Sequence, residues 1–312
     1  MSRAARTLGA LLAGLALATA CAQQGQSPGR GVSTGSQAAF PVTIHAANGR
    51  VKIESRPQRV VSLSPTATEM LFALGAGDQV EAVDDNSNYP PQAPTTDLSG
   101  FEPNVEAIAT FRPDLVVFSD DPGDLEASLD RLKIPALSQP AAVTLEDAYS
   151  QIEELGRATG NPAGASELVA SMRTDIREIV DTVPRPDPAL SYYYELDDTY
   201  FTATSRTFIG EVFALLRLRN IADPADDEGS GYPQLSAEYI VDADPDLIFL
   251  ADTKCCGVSA ETVAERPGWS RIAAVEQGAV VELDDDVASR WGPRVVQLLQ
   301  AAAAEVREAV AG

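Results

Sequence analysis

The 312-residue chain predicts an α/β fold of two similar lobes joined by one long helix. Three observations lead there. Short apolar runs of strand length alternate with amphipathic helical stretches, residues 104–120 recur at 236–252, and one unbroken helical pattern at 162–183 lies between the two copies. Strands that alternate with helices indicate α/β units around mostly parallel sheets. A repeated block indicates a repeated structural unit.

At the N-terminus, Arg3 and Arg6 precede an uncharged run from Thr7 to Ala20, which ends in Ala18, Thr19, Ala20 and Cys21. A basic start, a short apolar stretch and small residues before a cut form the layout of a signal peptide. The run is too short to cross ~30 Å of hydrocarbon as a helix. Small residues directly before a cysteine resemble a lipobox, with Ala18 where that pattern prefers Leu. Residues 1–20 are therefore expected to be a signal peptide and Cys21 the lipid anchor, placing the mature chain on the extracytoplasmic face of the membrane.

Residues 21–40 follow as a lipidated flexible tether, rich in Gly, Ser and Gln and without apolar periodicity. Gly31 to Gly35 within it match the G-x-S-x-G pattern of hydrolases. That chemistry needs a strand before the serine and a helix after it, and neither pattern is present.

The N-terminal lobe is expected at 41–160. VVSL (60–63) and DLVVFS (114–119) read as buried strands and TATEMLFALG (66–75) as a helix; DLIFLA (246–251), AVVEL (279–283) and the helical ERPGWSRIAAV (265–275) do the same in the second half. Thr66 with Glu69 three positions on can form a capping box, setting SPT at a strand-to-helix turn. That turn faces the C-terminal edge of a sheet, where open α/β sheets bind ligands.

The connecting helix is expected at 161–184. Leu168, Val169, Met172, Ile176, Ile179, Val180 and Val183 keep helical spacing, Asn161 offers an N-cap, Pro162 suits the first helical position, and Pro184, Pro186 and Pro188 stop the helix. Over 162–183 it would run ~33 Å. The C-terminal lobe then fills 185–312. NVEAIATFRPDLVVFSD at 104–120 aligns without gaps on SAEYIVDADPDLIFLAD at 236–252, and EMLFAL at 69–74 has a looser echo in EVFALL at 211–216.

The formal net charge is −23, and loss of Arg3 and Arg6 with the signal peptide takes it to about −25. So acidic a surface repels nucleic acid and anionic lipid. With Cys21 lipidated, only the neighbours Cys255 and Cys256 remain. They are a candidate vicinal disulfide, although adjacent Cα atoms are closer than the ~5.5 Å that disulfides prefer. Free thiols and metal ligation stay open beside it.

RVVSLSPTATEMLFALG, the NYPP at 88–91, GFEPNVEAIATFRPDLVV and the late ASRWGPRVV together resemble the helical-backbone substrate-binding proteins of ABC importers for iron-siderophores, haem and cobalamin. The resemblance covers roughly residues 50–310. It implies a ligand cleft between the two lobes, small opening motions and delivery to a membrane permease. It also implies that one glutamate on each lobe, here Glu106 and Glu238, pairs with permease arginines. By the residues alone, each of these acids follows a good N-cap, Asn104 or Ser236, and complements a helix dipole.

Residues at expected strand ends and in loops are the candidate ligand contacts: Ser64, Tyr89, Phe101, Asp121, Tyr194, Tyr232, Arg290 and Trp291. Aromatic faces can pack a large amphipathic ligand while polar tips orient it. Lys254 to Gly257 should lie near the cleft mouth, as a structural clamp or as a ligand-contacting or redox-sensing turn. The single histidine, His45, cannot build a Zn or Mn receptor site, so no bound metal and no cofactor are expected. Haem would need a tyrosine in place of that histidine. Ferric catecholates would want an arginine cluster, whereas hydroxamate siderophores or cobalamin suit loops offering only Arg290 and Lys254. No HExxH or paired-carboxylate motif points to an enzyme, and the run Asp284 to Asp286 reads as a solvated loop. The expected partners are a metal chelate or corrinoid and a permease, with the protein itself a monomer. A sensor or scaffold lipoprotein without a transporter is the alternative.

Overall fold

The computed structural model describes residues 39–311. The signal peptide, Cys21, most of the tether and the G-x-S-x-G match lie outside the described residues. Two strands open the fold, β1 (Val42–Ala46) and β2 (Gly49–Ile53), paired as an antiparallel hairpin. Asn48 at its tip donates to Glu126 Oε1 and Ala136 O, both at 3.0 Å, and accepts from Ser138 N–H at 3.1 Å. These bonds tie the hairpin to the first lobe.

That lobe runs through β3 (Val60–Leu63), α1 (Pro65–Ala73), β4 (Val80–Val83), α2 (Val105–Thr110), β5 (Leu115–Phe118), α3 (Leu125–Arg131), β6 (Ala136–Ser138) and α4 (Leu145–Thr159). Its sheet is parallel with the order β4-β3-β5-β6. Helices cover both faces of a parallel sheet, so its central strands are buried throughout. Every residue of β3 and β5 is buried.

α5 (Pro162–Asp181) connects the lobes and packs on α4. Its 20 residues span ~30 Å and bury Ala165, Val169, Met172 and Ile176. Pro162 holds the first turn as expected, but the Asn161 side chain makes no cap. Its Nδ2 instead donates to Thr159 O at 3.3 Å. Gly164 allows the close crossing over α1, since a Cβ there would stand 2.2 Å from Leu74 O.

The second lobe comprises β7 (Ser191–Glu195), α6 (Phe208–Ala214), β8 (Arg219–Asn220), α7 (Ala237–Ala243), β9 (Leu247–Leu250), α8 (Ala260–Ala264), α9 (Ala273–Gln277), β10 (Val280–Glu282), α10 (Asp285–Ser289) and α11 (Val295–Ala311). Its sheet is again parallel, with the order β8-β7-β9-β10. This repeats the first lobe strand for strand. Val60 pairs with Leu115 in one sheet and Tyr192 with Leu247 in the other, so one offset relates both central strand pairs.

The helical pattern at 265–275 does not form one helix. Gly268 at φ 84° breaks it into a 3-10 turn, Trp269–Arg271, followed by α9. β7 buries three consecutive tyrosines. Tyr192 accepts from Asn220 Nδ2 at 2.8 Å and stacks on Phe213 with ring centroids 4.8 Å apart. α11 returns to pack on α5 and α6.

Candidate functional site

In the first lobe the strand order reverses between β3 and β5, and side chains just past their C-terminal ends meet there. Open α/β sheets place ligands at this switch point. Ser64 is the true N-cap of α1, accepting from Ala67 N–H at 3.3 Å, and Ser119 Oγ donates to Ser64 Oγ at 2.7 Å. The expected Thr66–Glu69 capping box is therefore absent. Thr68 carries the hydroxyl chain on, donating to Ser62 Oγ at 2.9 Å and meeting Ser87 Oγ at 2.9 Å, while Ser87 donates to Asp84. Burial pushes the Asp84 carboxyl up to about 6, against the lowering effect of the Ser87 hydrogen bond.

Ser64, Asp84 and Ser119 line a cavity of about 380 Å³, with Thr66, Asn86, Phe101 and Asp120 from the first lobe and Asp286, Ser289, Arg290 and Trp291 from the second. Gly100 forms part of its wall. A Cβ there would stand 2.8 Å from Leu63 O and 3.0 Å from Asp84 Oδ2, so only glycine lets the chain pass behind Phe101.

Arg290 occupies the cavity wall, but its two terminal nitrogens are engaged, with three of their four bonds crossing to the other lobe. Nη1 reaches Glu69 Oε1 at 2.8 Å and Asn88 Oδ1 at 3.0 Å; Nη2 reaches Asn86 O at 3.1 Å and Asp286 Oδ1 at 2.6 Å. Arg294 grips the same glutamate, Nε to Oε2 at 2.9 Å and Nη2 to Oε1 at 2.6 Å. Glu69 thus turns away from its helix N-terminus to hold two arginines from the other lobe. Trp291 adds a further bond, Nε1 to Gln151 Oε1 at 2.8 Å. The segment 286–294 is a polar latch under the cavity.

Of the expected ligand contacts, Ser64, Phe101, Arg290 and Trp291 meet at this cavity. Asp121 does not, because its Oδ1 accepts from Glu126 N–H at 2.8 Å in the first turn of α3; its neighbour Asp120 lines the cavity instead. Tyr89 stacks under Arg294, 4.3 Å from the guanidinium to the ring centroid. Tyr194 is wholly buried in the second lobe and donates to Ala288 O at 2.9 Å, so it faces the core. Tyr232 lies in a separate surface hollow with Phe201. Sequence reasoning missed Asp84, Asn86, Ser119 and Asp286. Ser119 and Asp120 close the repeated block and could have been read from it. The run Asp284 to Asp286 is a structured helix start, with Asp284 capping α10 and Asp286 on the cavity wall.

The sequence profile described as "Periplasmic binding protein" matches residues 60–287, from the first strand of the first lobe's sheet into α10, where the latch begins. The chain belongs to the periplasmic binding protein family. This is a family of substrate-binding proteins and not of enzymes. This periplasmic binding protein is 34% identical to an uncharacterized ABC transporter substrate-binding lipoprotein of Bacillus subtilis, over 83% of each chain. It is 32% identical to a cobalamin-binding protein of Halobacterium salinarum, over 87% of this chain and 76% of that one. Among solved structures, the periplasmic vitamin B12 binding protein of Vibrio cholerae superposes with a TM-score of 0.67 at 26% identity, covering 82% of this chain and 99% of that one.

The two lobes of this binding protein differ at their switch points. In the second lobe the ends of β7 and β9 are plugged by Glu195, wholly buried and held at both oxygens by Arg266 at 2.6 Å. The Arg266 guanidinium lies 4.6 Å from the Trp269 ring centroid and 5.5 Å from that of Tyr200. Asp252, the counterpart of Asp120, is buried beside this pair with neither oxygen hydrogen-bonded. Burial, then the charge of Glu195, pushes its carboxyl up to about 7. The cavity consequently belongs to the first lobe's edge and to the latch.

Glu106 and Glu238 sit in the first turns of α2 and α7, after the N-caps Asn104 and Ser236, whose side chains accept from Ala107 and Tyr239 N–H. Both are exposed, and among the described residues neither joins a salt bridge. Cys255 and Cys256 are exposed free thiols in this structure. Among the described residues, no group of three or more His, Cys, Asp or Glu side chains is placed to hold a metal ion.

Proposed function

We propose that this protein captures a near-neutral, amide-rich metal chelate of the cobalamin type outside the cytoplasm and delivers it to the permease of an ABC importer. In this reading Cys21 tethers it to the membrane by lipid, and Glu106 and Glu238 dock the two lobes on permease arginines. The observation that carries the ligand class is the neutralisation of Arg290 by Glu69 and Asp286. The remaining polar lining, Ser64, Thr66, Asp84, Asn86, Ser119, Asp120 and Ser289, offers hydroxyls, an amide and carboxylates but no free cation.

Such a lining opposes polyanionic ferric catecholates and suits a ligand that presents amide donors. The exposed Phe101 and the half-buried Trp291 supply apolar faces for a flat ring system. Haem fits less well, because no His, Tyr, Cys or Met lines the cavity to ligate its iron. A corrinoid arrives with cobalt already held in its own ring. The names of the Halobacterium and Vibrio relatives support the same class.

The test is thermal melting of the purified protein against cyanocobalamin, a ferric hydroxamate, a ferric catecholate and haemin. A rise in Tm with cyanocobalamin and none with the catecholate is expected. A rise with catecholate or haemin alone would sink the proposal.

A further inference from the structure

The loop after β9 carries Cys255 and Cys256, both exposed and both free. It forms a tight turn, in which Cys256 N–H donates to Asp252 O at 3.2 Å and Cys255 Sγ lies 3.7 Å from the same oxygen. Asp285, at the start of α10, caps the turn. It accepts from Thr253 Oγ1 at 2.8 Å, Lys254 N–H at 3.0 Å and Cys255 N–H at 2.9 Å. Lys254 Nζ bridges Asp284 at 2.8 Å and Asp286 at 3.0 Å. Asp286 in turn holds Arg290 at 2.6 Å on the cavity wall. A continuous set of contacts therefore runs from the thiols to the interlobe latch.

We propose that Cys255 and Cys256 are an intrachain redox site, closed to a vicinal disulfide by a small-molecule disulfide, and that closure loosens the Lys254 grip on the latch. The extracytoplasmic location in the functional reading is where such bonds persist. Cys256 acts first, because the Cys255 Sγ is held against Asp252 O at 3.7 Å, and local desolvation with the hydrogen bond to Cys256 pushes the Cys255 thiol up. The Cys256 thiolate attacks one sulfur of oxidised glutathione, breaking its S–S bond and releasing one glutathione thiolate. The Cys255 sulfur, losing its proton to that thiolate, then attacks the Cys256 sulfur and expels the second glutathione. Two protein thiols are oxidised and one disulfide is reduced to two thiols, with no other reactant.

Adjacent Cα atoms stand about 3.8 Å apart, below the ~4.4 Å lower edge of ordinary disulfides. The ring can close only if the peptide between the cysteines rotates. That peptide carries the Cys256 N–H bonded to Asp252 O, so oxidation breaks this bond and opens the turn that Asp285 caps. Strain of this kind also makes the bond easy to reduce.

The experiment exposes the mature chain to oxidised glutathione and reads thiol content, intact mass and hydrogen exchange. The expected product is a monomer that has lost both thiols and two hydrogen atoms, reversed by dithiothreitol, with faster exchange in 252–256 and in 285–291. Asp285→Asn, which frees the turn, should speed oxidation at least about threefold. Two persisting thiols, a stable glutathione adduct or linked dimers would overturn the site. An oxidised chain with unchanged exchange at 285–291 would overturn its link to the latch. None of these readouts needs the transported ligand, so their failure is separable from failure of the functional reading.

Discussion

Glu69→Gln keeps the side chain's shape and removes the charge on which the interlobe latch converges. In the wild type, Glu69 is 2% exposed and holds Arg290 and Arg294, whose side chains are 8% and 11% exposed. Breaking a buried ion pair from one side costs ~3–5 kcal/mol, because the partner is left buried and uncompensated. Arg290 keeps Asp286 at 2.6 Å and its bonds to Asn86 and Asn88, while Arg294 keeps only the face of Tyr89 at 4.3 Å. The residual partners argue for the lower end, about 3 kcal/mol. Equilibrium urea unfolding followed by far-ultraviolet circular dichroism measures it. A double-mutant cycle with Arg294→Met should show a coupling of at least about 1 kcal/mol. A loss below about 0.5 kcal/mol, the range of an ordinary surface change, would refute the latch.

Three further outcomes are expected. Asp252 keeps its proton in the fold up to about 7 but only to its ordinary 3.8 once unfolded. Between those values unfolding releases a proton, so stability falls as pH rises from about 4 to about 7. Asp252→Asn should flatten that slope in pH-dependent melting, and an unaltered slope would exclude Asp252 as its source. Phe101 is 75% exposed and contributes little to the core, so Phe101→Ala should leave Tm unchanged while weakening cyanocobalamin binding by about 3- to 10-fold; equal affinity would remove it from the site. Changing Glu106 and Glu238 together to Ala should abolish uptake in cells with cyanocobalamin affinity intact, and normal uptake would end the docking assignment.

The strands β5 and β9 were legible because burial on both faces writes an uninterrupted apolar run into each, and β3 because only Ser62 interrupts its run. β7 was not, since SYYYE reads as polar until Asn220 and Ala288 are seen to satisfy two of its hydroxyls. The connecting helix was legible from its periodicity and its prolines. Glu69 misled because a local capping pattern matched, whereas its actual partners lie 221 and 225 positions away. Arg290 was read as a free cation at the cleft, whereas the structure pairs it with Glu69 and Asp286. Its partners Asn86, Asn88 and Glu69 come from another lobe, and no spacing in the chain announces them. Asp120 was missed by one residue, since only the structure separates the acid facing the cavity from the one accepting at the start of α3.

The central claim is that the cleft accepts a near-neutral corrinoid because its arginine is already neutralised. Isothermal titration calorimetry of the purified protein with cyanocobalamin, in competition with a ferric catecholate, addresses it directly. Saturable one-to-one binding of cyanocobalamin, undisturbed by excess catecholate, is predicted. Saturable binding of the catecholate with no heat from cyanocobalamin would contradict the account.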